Sequence, residues 1–443
     1  MTVAVTFKDA PRRPRTAMRQ VLASLNQPKV ALAVIFGIAT GMPPVLVSVT
    51  LGFWLRSEGV ALSAIGFMSW VGIFISTKFL WAPFVDTIRL PWIGKRLGHR
   101  RSWMLLGQVF VTLGILGMAA TGPSGNLAVF AAFAMLTSFA AATQDIAVDA
   151  WRIESALDEE QDLMASAYIF GLRSGYFLGN VPILAASAVI GWPLSYACAA
   201  IGGIAGLTGL LLAREPDKPR DFSPATSLAG VVSALFRPLK VFWQDHGKAV
   251  FIFLPLVALF FVPDGLITAL VGPLYIDLGF TGPQIAAIRT VFGFPATLAG
   301  VIIAGLIGLR FGTIPAMAIA VILAAISNVG FALLALSGGD QLIWIAAVMF
   351  EGFSGGMATA AMVAWASSLT NPVATAAQFA MLSSLMTLLA GFLGGFAGLA
   401  VEALQARSGS AMGGFATWFS ITPLAAIPPL ILIWRVRRLA KSA

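Results

Sequence analysis

The sequence predicts an all-α integral membrane protein, and three features of its composition support this. Of the 443 residues, 58% are hydrophobic and only 11% are charged, whereas a soluble domain carries about 25% charged residues. The mean hydropathy is +0.88. A water-soluble enzyme of this size is excluded, because its core could not hold so much apolar surface. The 45 glycines follow no G-X-Y period, which also excludes a collagen-like chain.

Twelve stretches of the chain are long and apolar enough to span a bilayer, for which about 20 residues are needed. They are expected to be helices, because the bilayer core offers no water to backbone N–H and C=O groups. The basic segment before the first stretch is too long for a cleaved signal peptide, so we expect the first span to be retained. The predicted spans cover residues about 30–55, 61–85, 103–121, 126–151, 165–190, 192–213, 248–276, 283–307, 314–336, 340–369, 376–403 and 412–435.

The distribution of Lys and Arg predicts the orientation of these spans. Twelve spans place both termini on one side, and 23 of the 28 Lys and Arg fall in segments on that side. Two, Arg56 and Arg407, fall in segments on the other side. Because cytoplasmic loops carry the excess of basic residues, we expect both termini in the cytoplasm.

One polar segment, residues 214–247, divides the spans into two sets of six and contains an amphipathic stretch near Leu228–Trp243. The predicted organisation is a cytoplasmic arm (1–29), a six-helix bundle (30–213), a cytoplasmic linker (214–247), a second six-helix bundle (248–435) and a cytoplasmic tail (436–443).

Short motifs recur between the two sets of spans. The recurring pairs are Gly59 with Ile65 at the start of span two, Gly279 with Ile285 at the start of span eight, Ala150 with Trp151 in span four, and Ala364 with Trp365 in span ten. Two parallel repeats of six helices are the layout of major-facilitator transporters, which bind substrate between the halves. The sequence therefore predicts a major-facilitator fold of 12 transmembrane helices.

Ionisable residues inside the spans are the first candidates for function, because a charge in the bilayer core is costly. The predicted spans contain three cations and four acids: Lys78, Arg173 and Arg289, and Asp145, Asp149, Asp264 and Glu351. One acid is thus left without a matching cation, and a lone carboxyl in an apolar site is suited to bind a transported proton. The alternative is that these charges pair and only hold helices together.

The intramembrane charges also suggest separate roles. Asp145, Asp264 and Glu351 are the candidates for proton coupling. The cations are candidates for binding an anionic substrate, Lys78 and Arg173 when the cavity faces inward and Arg289 when it faces outward. A rival interpretation is that Arg173 only neutralises Asp145.

Charges near the predicted cytoplasmic ends of the spans are candidates for a gate. Asp86 lies at a helix end beside a basic turn that includes Arg96, and Asp149 lies close to Arg152. An acidic stretch that begins at Glu154 follows span four and faces the same side as the basic turn. The alternatives are a basic turn that only sets topology and a solvated acidic loop.

Prolines and glycines predict that the opening helices of both halves are interrupted. Span one contains Pro43 and Pro44 close to Gly37 and Gly41. Span seven contains three prolines, Pro255, Pro263 and Pro273. Proline removes a backbone donor and kinks a helix, which favours a pair of moving, cavity-lining helices over kinked packing alone.

Signatures of other protein classes are missing from the sequence. There is no Walker loop and no Cys/His spacing typical of a metal site, so we expect no cofactor and no metal. The single Cys198 excludes an intrachain disulfide, and both histidines, His99 and His246, lie between predicted spans. We expect a monomeric secondary transporter with no nucleic-acid partner, and we keep a membrane ligand sensor and an intramembrane sugar transferase as alternatives.

Four motifs resemble the AmpG muropeptide permease family, a branch of the major facilitator superfamily. They are Lys78-Phe-Leu-Trp-Ala-Pro-Phe-Val-Asp86 with Pro91 and Gly94-Lys-Arg96, Gln144-Asp-Ile-Ala-Val-Asp-Ala-Trp151, Phe350-Glu-Gly-Phe-Ser-Gly-Gly-Met357, and Ala377-Gln-Phe-Ala-Met-Leu-Ser383. The polar residues Gln144 and Gln378 of these motifs are further candidates for substrate binding.

This resemblance implies proton-driven import of cell-wall fragments across the bacterial inner membrane. The implied substrates are built on N-acetylglucosaminyl-anhydro-N-acetylmuramic acid and are anionic through their peptide carboxylates. Relatives with a similar Gln-Asp motif take up siderophores, and related eukaryotic carriers move acetyl-CoA. An importer of a siderophore or of another bulky anion therefore remains an alternative.

Overall fold

The computed structural model describes residues 27–156, 161–216, 228–370 and 375–442, and these residues form helices and connecting turns. Most of the predicted N-terminal arm, part of the acidic stretch after span four and residues 217–227 of the linker lie outside the described residues. Within the described part, eleven helical stretches are long and apolar enough to cross a membrane. The predicted all-α membrane class is therefore confirmed.

The described helices differ from the predicted spans mainly in their interruptions. One stretch, Ala167–Leu212, has 46 residues and would be about 69 Å long at 1.5 Å per residue, twice the thickness of a bilayer core. Gly191 interrupts it with non-helical angles (φ 77°, ψ 163°), at the predicted boundary between spans five and six. The count of twelve spans stays a prediction. The helices are Pro28–Leu46, Val49–Ser57, Leu62–Met68, Ile73–Thr77, Ala82–Thr87, Ile93–Leu97, His99–Gly125, Leu127–Ser155, Gln161–Leu212, Leu228–His246, Val250–Leu259, Val262–Asp277, Gly282–Ile288, Phe294–Phe311, Thr313–Leu336, Gln341–Ser368, Thr375–Gly394, Ala397–Ser408, Ala411–Ile421 and Ile427–Ser442.

The opening helices of both halves are interrupted, as the prolines predict. Span one breaks at residues 47–48, just after Pro43 and Pro44, and span seven breaks at residues 260–261, after Pro255. In span seven, Pro263 lies in the first turn of the next helix and has no N–H for the carbonyl of Leu259, the last residue of the preceding helix.

Spans two and eight are irregular as well, which the sequence analysis did not anticipate. Span two changes to 3₁₀ geometry at Ser69–Gly72 and again at Lys78–Leu80, while span eight contains a π-turn at Arg289–Gly293. Pro295 lies just after this π-turn and has no N–H for the carbonyl four residues earlier. Two intramembrane cations, Lys78 and Arg289, therefore begin segments that are not regular α-helix.

The internal repeat reappears as repeated geometry. Gly59 and Gly279 both adopt positive φ, 77° and 82°, and each donates its N–H to the carbonyl three residues earlier at 2.9 Å. Glycine suits this conformation because it has no Cβ.

The repeated tryptophans also make matching contacts. Trp151 meets the Phe36 ring edge-on at 5.0 Å, and Trp365 meets the Phe253 ring edge-on at 5.5 Å. Each pair joins the fourth span of its half to the first and lies within its own hydrophobic core.

The compact units of the structure do not follow the predicted halves everywhere. Residues 52–76 group with residues 236–443, and the rest of the first half forms the other unit. Within the larger unit, Arg56 pairs with Asp277 through two contacts of 2.6 Å, and Glu402 accepts the backbone N–H of Ser63 at 3.0 Å. The boundaries at residues 214 and 247 were placed by the order of segments along the chain, and they remain predictions.

Candidate functional site

A charged cluster lies where span two passes span four. Asp145 and Asp149 are four residues apart on helix Leu127–Ser155, so they share one helix face. The ammonium group of Lys78 donates a hydrogen bond to Asp145 Oδ2 and lies 3.5 Å from Asp149 Oδ2. The structure thus brings together three residues that the sequence analysis singled out.

Tyr168 completes the surroundings of Asp145. Its hydroxyl donates to Asp145 Oδ1 and lies 3.1 Å from the hydroxyl of Thr40. Both oxygens of the Asp145 carboxylate therefore have donors. Tyr168 was not among the residues predicted from the sequence, although it is a tyrosine inside an apolar span, five residues before Arg173.

Arg152 extends this cluster on the side of Asp149. Its guanidinium lies 3.7 Å from Asp149 Oδ1, and its central carbon lies 5.6 Å from the centre of the Tyr168 ring. Two cations, Lys78 and Arg152, thus face two carboxylates, and the cluster is formally neutral.

Arg173 does not pair with Asp145, which takes Lys78 instead. Within the described residues Arg173 makes no ion pair and is exposed. It lies close enough to Tyr176 to act on it electrostatically, and so do Asp145 and Lys78. Arg173 therefore lies near the cluster, but neither Asp145 nor Asp149 forms an ion pair with it.

The two candidate glutamines lie inside the protein. Gln144 is 2% exposed and donates from Nε2 to Gln108 Oε1 of span three at 2.9 Å. Gln378 is fully buried on helix Thr375–Gly394. Their burial gives both side chains a packing role in this structure, and their role as substrate ligands stays a prediction.

The second half contains a contrasting pair of acids. Asp264 lies in the first turn of helix Val262–Asp277, directly after the break in span seven, where the helix dipole favours a negative charge. Glu351 of span ten lies close enough to repel it. Among the described residues, neither carboxylate makes an ion pair or accepts a side-chain hydrogen bond.

Arg289 lies in the same neighbourhood without joining these acids directly. Arg289 and Glu351 both act electrostatically on Tyr275, but in the described part of the chain Arg289 makes no ion pair. Two carboxylates and one cation give this group a formal surplus of one negative charge.

A second ionic network joins the ends of spans two, three and four. Arg100 contacts Asp86 and binds Glu154 with Nη2 at 2.6 Å and Nε at 3.1 Å. Glu215 accepts the backbone N–H of Arg100 at 2.8 Å and so caps helix His99–Gly125. These contacts support a structural role for Asp86, which joins the end of span two to Arg100 at the start of span three.

The predicted gate residues do not form a single network. Asp149 and Arg152 belong to the Lys78 cluster, while Arg96 makes no ion pair among the residues that the structure describes. Arg100 and Glu215 were not predicted as site residues, because both lie in basic segments whose charge is also explained by topology.

Comparison with known proteins agrees with this architecture. The sequence profile of the Major Facilitator Superfamily matches residues 30–398. The anhydromuropeptide permease of Escherichia coli K12 is 32% identical over 416 residues, which cover 94% of this chain and 81% of that protein. A Rickettsia conorii protein named for AmpG is 29% identical and is covered to 94% of its length.

Solved structures support the fold. A transporter of the POT family in complex with a thioalcohol-conjugated peptide has a TM-score of 0.67 at 14% identity, with 93% of this chain and 96% of that chain covered. The nucleoside transporter NupG has a TM-score of 0.66 at 13% identity, with 93% and 99% covered. The chain therefore belongs to the major facilitator superfamily and, within it, to the AmpG-type muropeptide permease family.

Proposed function

We propose that this membrane transporter is a proton-coupled importer of anionic cell-wall fragments, the anhydro-muropeptides, in the bacterial inner membrane. The Escherichia coli relative is named an anhydromuropeptide permease, which supports this substrate class. The relatives and structural neighbours are transporters, which favours transport over enzymatic activity.

The distribution of charge carries this proposal. In the first half, Lys78 and Arg152 balance Asp145 and Asp149, which leaves Arg173 as a surplus cation. In the second half, Asp264 and Glu351 outnumber Arg289, which leaves a surplus acid. A bound anion compensates the first surplus and a bound proton compensates the second, which is the charge requirement of an anion–proton symporter.

The proton is assigned to the second half. Asp145 receives hydrogen bonds from the ammonium of Lys78 and the hydroxyl of Tyr168. Asp264 and Glu351 lie close enough to repel each other, and among the described residues their carboxylates have no such donors. A proton on either acid removes this repulsion. Of the three candidate proton carriers, Asp264 and Glu351 are therefore preferred over Asp145.

The substrate anion is assigned first to Arg173. A guanidinium binds a carboxylate through two parallel N–H donors, which an ammonium group cannot copy. Lys78 and Arg289 are the further candidates, the first after release from Asp145 and the second in another conformation of the transport cycle.

The proposed orientation places both termini and residues 214–247 in the cytoplasm. The excess of Lys and Arg in these segments supports it. In a Cys198→Ser background, the single cysteine of Ser223→Cys should resist an impermeant reagent added outside intact cells. Labelling from outside would contradict the orientation.

Transport into proteoliposomes tests the function directly. A pH gradient, acid outside, should drive accumulation of a labelled anhydro-muropeptide, and an uncoupler should abolish it. Counterflow of labelled against unlabelled substrate distinguishes a transporter from a ligand sensor, because a sensor exchanges no solute. Uptake of ferric siderophores but not of muropeptides would favour the alternative substrate.

A further inference from the structure

The amphipathic helix Leu228–His246 exposes one side along residues 236–243, where its side chains are described. Phe236 is 61% exposed and Trp243 is 44% exposed, and Lys240 between them is exposed as well. At 3.6 residues per turn, these three positions fall within about 60° of one another around the helix axis. We call them the Phe236–Lys240–Trp243 stripe.

The opposite side of this helix is fixed to the protein. Phe242 is fully buried in the hydrophobic core that also contains Phe253. The ring N–H of His246 donates to the carbonyl of Leu369 at 2.8 Å, and the His246 ring lies 4.5 Å from that of Phe242. These contacts set the rotation of the helix, so the stripe faces away from its own protein unit.

The stripe continues into an apolar surface at the beginning of span seven. The Trp243 ring meets the Phe251 ring edge-on at 5.2 Å. Phe251 is 70% exposed on the first turn of helix Val250–Leu259, within a strongly apolar spanning stretch. A large exposed aromatic side chain at the start of a spanning helix is suited to the acyl-chain boundary of a bilayer.

The charges around the stripe favour an anionic surface. Residues 236–248 contain three cations, Arg237, Lys240 and Lys248, and one acid, Asp245. All three cations are exposed. Lys and Arg side chains beside an anionic leaflet are attracted to its negative surface potential.

We infer that the Phe236–Lys240–Trp243 stripe binds the surface of a bilayer that contains anionic phospholipid. The two aromatic rings enter the head-group region, and Lys240 with Arg237 contacts lipid phosphates. A helix with one apolar side and flanking cations lies in the plane of the interface in this way. This site is separate from the transported solute and does not depend on the proposed function.

Fluorescence at single positions locates the stripe relative to the lipid. In a Cys198→Ser background, a probe is attached at Phe236→Cys or, on the opposite side of the helix, at Asp245→Cys. The protein is reconstituted into vesicles of phosphatidylcholine with or without phosphatidylglycerol. A head-group-labelled quenching lipid should quench the first probe at least twofold more than the second, whereas aqueous iodide should show the reverse order. Equal quenching of the two probes by both agents would overturn the inference and leave the stripe open to a soluble partner.

Charge reversal tests the lipid specificity with the native aromatic side chains in place. Phosphatidylglycerol should raise the thermal unfolding temperature of the unmodified transporter in phosphatidylcholine nanodiscs. The pair Arg237→Glu and Lys240→Glu should lose roughly half of this rise or more. Arg310→Glu, a charge reversal at another helix end, should keep it. An unchanged rise in the double variant would contradict binding of anionic lipid by the stripe.

Discussion

The intramembrane acids of the two halves have opposite surroundings. Asp145 in the first half receives donors on both oxygens, from Lys78 and Tyr168. Asp264 and Glu351 in the second half lie near each other without an ion pair or a side-chain hydrogen bond among the described residues. Acids inside the predicted spans of the two halves thus have different chemical surroundings.

This difference separates residues that stabilise from residues that exchange a proton. Removing one partner of a buried ion pair leaves an uncompensated charge, which is strongly destabilising. Neutralising an acid that has no partner leaves no other charge exposed to the apolar interior. Substitutions in the first-half cluster should therefore mainly reduce stability, whereas substitutions of the second-half acids should mainly reduce transport.

The largest effect is expected from Lys78→Met. This substitution leaves Asp145 and Asp149 with Arg152 as their one ion-pair partner among the described residues and should reduce the free energy of unfolding by about 3–5 kcal/mol. Thermal unfolding in detergent measures the loss. The pair Lys78→Met with Asp145→Asn should recover much of the stability. Failure of this recovery would show that the Lys78–Asp145 contact does not hold the spans together.

The next effect concerns transport without loss of stability. The pair Asp264→Asn and Glu351→Gln should abolish accumulation driven by a pH gradient, because no carboxyl group remains to carry the proton in the second half. Exchange of labelled for unlabelled substrate should persist, and the unfolding temperature should change little. Accumulation at the unmodified rate would assign proton coupling to another acid, with Asp145→Asn as the matched comparison.

Arg173 should affect binding more than folding. Arg173→Lys keeps the charge but loses the two-pronged contact with a carboxylate, so we expect the apparent affinity to fall about tenfold, which corresponds to about 1.4 kcal/mol. The unfolding temperature should stay close to that of the unmodified protein.

A double substitution checks the rival role of Arg173. If Arg173 only neutralised Asp145, Arg173→Ala together with Asp145→Ala would restore transport. We expect no restoration, because Asp145 pairs with Lys78. Full rescue would contradict the assignment of Arg173 to the substrate.

A smaller loss of stability than that of Lys78→Met is expected from Tyr168→Phe, which sharpens the description of Asp145. The substitution removes one donor to the carboxylate but keeps the aromatic ring, and a hydrogen bond to a charged group contributes about 1.5–3 kcal/mol. We expect a modest loss of stability and a several-fold slower transport rate. Thr40→Val is the matched control, because Thr40 reaches Asp145 only through the Tyr168 hydroxyl.

Much of the architecture was predictable from the sequence because a bilayer imposes strong rules. Apolar length predicted the spans, and the prolines of spans one and seven predicted the interruptions that the structure has. The irregular geometry of spans two and eight was not predicted, since 3₁₀ and π turns leave no clear signal in hydropathy.

The candidate site was predictable in its members but not in its pairing. Composition showed that Lys78, Arg173, Asp145, Asp264 and Glu351 lie within spans. Depth along a helix, however, leaves open which face a side chain occupies and which neighbour it meets. For this reason Arg173 was considered as a partner of Asp145 from the sequence, and the contact with Lys78 was not predicted.

The sequence alone determined the membrane class and the excess of acids over cations within the predicted spans, because these depend on composition and order along the chain. Only the tertiary structure decided that Lys78 pairs with Asp145 while Asp264 and Glu351 form no ion pair in the described part of the chain. Ion pairing requires two atoms within about 4 Å, and helices distant in sequence reach that separation only through packing.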